Sequence, residues 1–231
     1  AFEPLVKVSR ESKVNRFIYA SSSSVYGIKK EKNVTEDMEL KPLTDYSKFK
    51  GECEKILQNY KSDDFIITTL RPSTVCGYAK RQRLDLVVNI LTNHAFNNRK
   101  IKVFGGKQLR PNIHIDDMVN SYIAVLNAAP KKINGEIFNV GFKNQSVNEL
   151  ANDVKKVIGD DIEIVKSHSD DNRSYYVNSK KIQEVLGFNT TRTVKSAVKD
   201  LKNAFESGLL PNSLDDEKYF NIKRMQSIQL V

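Results

Sequence analysis

Arg16-Phe17-Ile18-Tyr19-Ala20-Ser21-Ser22-Ser23-Ser24-Val25-Tyr26-Gly27 is a short apolar run that ends in four consecutive hydroxyls. Aromatic and β-branched residues in a run of this length read as a buried strand, Arg16 to Ser21, with the serines and Gly27 in the loop that leaves it. Downstream lies Thr44-Asp45-Tyr46-Ser47-Lys48-Phe49-Lys50. Thr44 or Asp45 suits a helix N-cap, with Pro42 just ahead. Phe49, Cys53, Ile56, Leu57 and Tyr60 recur at helical spacing, which predicts a helix from Asp45 to about Tyr60.

On that helix Tyr46 and Lys50 share a face, because residues four apart are neighbours. An ammonium beside a phenol favours phenolate and lowers the tyrosine pKa towards the working pH. A serine hydroxyl from the strand end completes a Ser-Tyr-Lys set for proton transfer coupled to hydride transfer. The spacing alone decides nothing, since it recurs at Tyr26/Lys30, Tyr176/Lys180 and Tyr219/Lys223. Only Tyr46 opens an amphipathic helix behind a strand that ends in hydroxyls.

A chain of 231 residues can bury a core in one large domain or two small ones. With 39% hydrophobic and 28% charged residues its composition is that of an ordinary soluble protein. No apolar run approaches the roughly 20 residues of a membrane span, so no membrane association is expected. There is no signal-peptide pattern, and a cytoplasmic location is the default reading. Cys53 and Cys76 imply neither a disulfide framework nor a metal site. The net charge of +9 invites a nucleic-acid reading, but the lysines are scattered and the densest group, Lys80-Arg81-Gln82-Arg83, is short. No stacking-aromatic motif or zinc-finger spacing accompanies it, so no nucleic-acid partner is expected.

Helix and strand patterns alternate along the chain. Helices are expected at Ala1 to Lys13, Leu84 to Phe96, Ile115 to Ala128, Ser179 to Leu186 and from Thr193 to about Ser207. Another runs to Ile158 behind the capping box Ser146-Val147-Asn148-Glu149. Strands are expected at Phe65 to Leu70, Ile101 to Phe104, Glu136 to Val140 and Ile162 to Val165, with Ser22 to Pro42 and Arg71 to Arg83 as loops. The alternation argues for α/β architecture. A dinucleotide-binding α/β protein carries a glycine-rich turn after its first strand, and none of the ten glycines forms one.

The Arg16 to Gly27 stretch, Tyr46 with Lys50, and Leu70-Arg71-Pro72 resemble the extended short-chain dehydrogenase/reductase family of NAD(P)-dependent nucleotide-sugar epimerases, dehydratases, decarboxylases and reductases. The likeness continues through Val103-Phe104-Gly105-Gly106, Arg110-Pro111-Asn112-Ile113-His114-Ile115-Asp116-Asp117, Phe138-Asn139-Val140-Gly141 and Arg173-Ser174-Tyr175. It spans nearly the whole chain in order. Family members carry the glycine-rich turn and their first strands ahead of this region, so the resemblance implies a chain truncated at its N-terminus. The implied fold is α/β: a partial Rossmann-like parallel sheet, first strands missing, with a smaller α/β substrate-binding C-terminal part. Residues 1–76, with 115–140 returning, would belong to the dinucleotide-binding domain; 77–114 and 141–231 would form the substrate-binding domain.

Carried over position by position, the resemblance makes Tyr46 the catalytic acid/base. Lys50 would bond the nicotinamide ribose, and Ser22, four before Tyr26, takes the catalytic serine place. Ala20 and Ser21 would line the nicotinamide, with Pro72 and Ser73 at its carboxamide. Ser22, Ser23 and Thr74 would face the sugar, while Arg110 and Arg173 grip the diphosphate with their forked donors. The implied cofactor is NAD, or NADP in its place; the implied ligand is a nucleotide-diphosphate sugar, and a homodimer is implied too.

Ser23 and Ser24 stand where the family's 4,6-dehydratases carry an aspartate and a glutamate, which disfavours dehydration; decarboxylases typically keep the glutamate. Thr74 replaces a common asparagine and Pro111 a usual aspartate. The reading is therefore a 4-epimerase, with a 4-ketoreductase or dehydratase as alternatives and a catalytically idle binding subunit as the rival from a different class.

Overall fold

The computed structural model describes residues 1–29, 31, 33–168, 174 and 176–230. In chain order the elements are α1 (Phe2–Glu11), β1 (Arg16–Ala20), α2 (Asp45–Gln58), β2 (Ile66–Pro72), β3 (Thr74–Cys76), α3 (Val87–Asn98), β4 (Lys100–Phe104) and β5 (Leu109–His114). There follow α4 (Ile115–Asn127), α5 (Pro130–Ile133), β6 (Glu136–Val140), β7 (Lys143–Ser146), α6 (Val147–Ile158), β8 (Glu163–Ser167), α7 (Lys180–Leu186), α8 (Val194–Glu206) and α9 (Asn221–Ser227). The protein is α/β. Two compact units divide the chain: Ala1–Ser73, Asp116–Phe142 and Arg173–Thr191 form the first, and Thr74–Ile115, Lys143–Asn172 and Arg192–Val231 the second.

The first unit is built on a three-stranded parallel sheet in the order β1-β2-β6. The register sets Ala20 opposite Leu70 and Leu70 opposite Phe138, so β2 and β6 run two residues past the end of β1 and finish together at Pro72 and Val140. β2 is buried along nearly its whole length, as a central parallel strand must be. Val6, Tyr19, Leu57, Phe65 and Ile67 form the core between α1, α2 and the sheet. Arg16 donates through Nη1 to the carbonyls of Val125, Leu126 and Ala128, capping the C-terminal end of α4 with a cation. Segment 176–178 joins this unit by main-chain bonds: Val34 N to Tyr176 O at 2.9 Å, and Asn178 N to Val34 O at 2.9 Å.

In the second unit β3 and β5 pair in parallel and β5 pairs antiparallel with β7, while β4 and β8 form a two-stranded parallel sheet. Leu150, Val154, Ala197 and Val198 are fully buried in its main core. The expected capping box opens α6, with the Ser146 side chain accepting from Glu149 N and Glu149 reaching back to Ser146 N.

The structure adds the short helices α5 and α9 where no element was expected, and it corrects the expected layout elsewhere. Arg71 to Arg83 is not all loop, because Arg71 and Pro72 continue β2 and Thr74–Cys76 form β3. Strands β5 and β7 occupy stretches that carry no strand pattern. In the Ser22 to Pro42 loop, Ser23–Tyr26 make a turn of 3-10 helix with Ser22 as its N-cap.

Candidate functional site

The sequence places the Ser-Tyr-Lys candidates on two neighbouring elements of the first unit. Thr44 caps α2: its hydroxyl accepts from Ser47 N, and the Ser47 hydroxyl in turn accepts from Thr44 N at 3.1 Å. Tyr46 therefore sits in a pinned first turn. The buried face of α2 is not the apolar stripe the periodicity suggests. Ser47, Gly51, Glu54 and Leu57 are buried, while Phe49 is 64% exposed. Tyr46, Lys50 and Glu54 run along one face from exposed to half-buried to buried.

Lys50 links this face to the end of β1. Its Nζ donates to the Ala20 carbonyl at 2.6 Å and lies 5.7 Å from the Tyr46 ring centroid and 5.1 Å from that of Tyr19. That bond uses one of three ammonium donors. Burial holds the Lys50 pKa below the ordinary lysine range, with the nearby Cys53 working the other way. Burial raises the phenol pKa of Tyr19, a residue only 8% exposed whose ring lies against Lys50.

The serines divide the labour. The Ser22 hydroxyl pairs with that of Ser24 at 2.9 Å and accepts from Ser24 N at 3.2 Å, which fixes it at the mouth of the 3-10 turn. Ser23 is buried. The buried Ser21 donates its hydroxyl to Glu54 Oε1. Ala20 is exposed and offers its carbonyl to Lys50. At the end of β2, Ser73 N donates to Val140 O at 2.7 Å, while the Ser73 hydroxyl is buried without a hydrogen-bond partner among the described residues. A side chain at Gly141 would collide with that hydroxyl.

Beneath these groups runs a polar layer whose role the sequence reading did not assign. Arg71 and Glu54 form an ion pair with side chains only 3% and 4% exposed. Arg71 Nη1 also donates to the Tyr26 hydroxyl at 2.7 Å, and that hydroxyl donates to Asn139 Oδ1 at 2.7 Å. Burial opposes the Arg71 charge, yet its bonds to Glu54 and Tyr26 leave the guanidinium pKa above its usual value. Burial pushes the Tyr26 phenol up to about 12. A charged residue on the buried stripe of a helix, and an arginine inside an apolar strand, are the signals that point to this pair.

In the second unit, Thr74 opens β3 and is half-buried. Arg110 lies on β5 opposite Gln145, with Nη1 donating to the Leu109 carbonyl at 3.0 Å. Arg173 lies outside the described residues, as do Lys30 and Tyr175.

Residues 2–141 match the family described as NAD dependent epimerase/dehydratase. The chain belongs to that family. Among curated members of the NAD-dependent epimerase/dehydratase family and their kin, the UDP-glucose 4-epimerase of Lactobacillus helveticus is 28% identical over 203 residues, 80% of this chain and 62% of the relative. An uncharacterized UDP-glucose epimerase of Bacillus subtilis (strain 168) is 38% identical over 143 residues, 61% of this chain and 44% of the relative. The chain thus spans about half the length of these relatives. The crystal structure of UDP-glucuronic acid 4-epimerase from Bacillus cereus, in complex with UDP-glucuronic acid and NAD, superposes with a TM-score of 0.78 at 26% identity. That match covers 89% of this chain and 66% of the other.

The family's nicotinamide cofactor can be tested against the residues present. The exposed Tyr46 phenol, the two remaining donors of Lys50 and the orphaned, buried Ser73 hydroxyl are the polar groups a nicotinamide ribose and carboxamide call for. They fit.

Proposed function

We propose that the protein is an NAD-dependent nucleotide-sugar 4-epimerase in which Tyr46 is the acid/base. The observation that carries this reading is the Lys50 ammonium on the Ala20 carbonyl with the Tyr46 ring beside it, at the end of β1 where Ser22 follows. Lys50, Tyr46 and Ser73 would hold the nicotinamide end of NAD, with Ala20, Ser21 and Pro72 as its lining. When bound, NAD supplies reversible hydride acceptance at sugar C4.

The rest is proton work by this chain. Tyr46, as phenolate, takes the proton of the sugar 4-hydroxyl, and the adjacent ammonium stabilises the negative oxygen. Ser22, held in place by Ser24, shares a hydrogen bond with the same sugar oxygen. The proton returns from Tyr46 after the sugar has presented its other face. Thr74, Ser23, Arg110 and Arg173 are assigned to the nucleotide sugar, the two arginines to its diphosphate. Ser23 and Ser24 offer hydroxyls where dehydration calls for a carboxylic acid and a carboxylate, so epimerisation is favoured over dehydration.

Two further parts of the reading belong to the whole protein. A homodimer is proposed through α1 and α2, where Leu5, Val8 and Phe49 are more than half exposed. A cytoplasmic location is proposed as well; among the described residues no helix is long and apolar enough to cross a membrane.

Tyr46→Phe tests the assignment. It is expected to lower kcat by about 10²–10⁴-fold while calorimetric binding of the nucleotide sugar stays close to wild type. Wild-type turnover in the variant would remove Tyr46 from the chemistry.

A further inference from the structure

The buried Glu54–Arg71 pair has no part in the proton transfers above, yet it lies directly under the groups that perform them. Glu54 follows Lys50 by four residues and Tyr46 by eight, on the same face of α2. Arg71 holds both carboxylate oxygens, with Nε 3.0 Å from Oε1 and Nη2 2.7 Å from Oε2. Its Nη1 also donates to the Glu36 carbonyl at 3.1 Å. Oε1 of Glu54 accepts the Ser21 hydroxyl as well.

Ser21 is the link. The residue before it carries the carbonyl that holds Lys50, and the residue after it carries the candidate catalytic hydroxyl. A hydrogen bond to an ionised carboxylate is stronger and more directional than one between neutral groups. A buried ion pair adds little stability over apolar side chains of similar size, so it is better suited to fixing one geometry than to strengthening the fold.

We propose that Glu54 is a positioning residue: clamped by Arg71 and bonded to Ser21, it fixes the Ala20–Ser22 segment against the Tyr46/Lys50 face of α2. This rests on the reading of Tyr46, Lys50 and Ser22 as the reacting set, but its test does not depend on turnover.

The test uses the protein labelled with 13C at lysine Cε, with the Lys50 resonance assigned through Lys50→Arg. Two variants are compared with wild type. Glu54→Met with Arg71→Met removes both charges together and keeps the buried volume, and Ser21→Ala removes the single hydroxyl. Both are expected to retain wild-type circular dichroism. In both, Lys50 is expected to lose its hold on the Ala20 carbonyl and to titrate closer to the ordinary lysine range as water reaches it. Unchanged Lys50 titration in the folded double variant would overturn the proposal. Should that variant fail to fold, Ser21→Ala decides alone, and an unshifted Lys50 there overturns it equally. In turnover the expected signature is a kcat about tenfold or more lower at nearly unchanged KM. If wild type turns over no nucleotide sugar, the proposed function falls, while the Lys50 titration still decides the role of Glu54.

Discussion

Gly27 ends the turn that carries Ser22, with φ at +66° and ψ at −151°, a backbone region open essentially to glycine alone. A Cβ there would also run into the Lys41 carbonyl. Gly27→Ala is therefore expected to cost about 1–3 kcal/mol, read from urea unfolding; an unchanged stability would contradict the strain assigned to this turn. Glu36 offers a prediction in pH. Burial raises its carboxyl pKa, although its bond from Asn139 N at 2.7 Å works against this. A carboxyl whose folded pKa is raised destabilises the fold when ionised. That cost is absent below its unfolded value of 4.5 and fully present above the raised folded value. Glu36→Gln keeps an acceptor for Asn139 and is expected to raise Tm by about 2–4 °C near neutral pH, and to change it little at pH 4. An equal gain at both pH values would contradict the account.

At the scale of elements, α2 depends on its first turn. Thr44→Ala removes one half of the capping box and is expected to cost about 1 kcal/mol. Because Tyr46 sits in that turn, kcat should fall more than KM rises; a stability loss with intact kinetics would show that Tyr46 is held by other contacts. The start of α2 was legible, since Thr44 and Pro42 are local signals, and so was the Ser146/Glu149 box. Strands β3, β5 and β7 were not. β3 has three residues, β7 is polar, and Pro111 argues against a strand although β3 meets β5 only from Asn112 onward. The face of α2 was misread for a related reason. Periodicity counts apolar residues, and here the buried stripe carries Ser47, Gly51 and Glu54; the carboxylate of Glu54 is satisfied by Arg71 and Ser21, partners distant in sequence. The same blindness kept Glu54 out of the candidate set, which Tyr46, Lys50 and Ser22 entered on spacing, context and resemblance.

At the scale of the whole molecule, the division of the chain into two units depends on returns that no local pattern announces. Segment 176–178 belongs to the first unit because its main chain bonds to Val34, more than a hundred residues away in sequence. The assembly proposal is also testable at this scale. Phe49→Glu places a charge on the exposed apolar face of α2 and is expected to turn a dimer into a monomer in sedimentation velocity, whereas an unchanged sedimentation coefficient would move the interface elsewhere. The central claim is inversion at C4 of a nucleotide sugar, and proton NMR of the protein incubated with NAD and UDP-glucose, UDP-glucuronic acid and other nucleotide sugars tests it most directly. The account predicts that one of these equilibrates with its C4 epimer, and that Tyr46→Phe abolishes the exchange. NADPH consumption with a 4-keto sugar in place of inversion, or no turnover of any sugar by wild type, would contradict it.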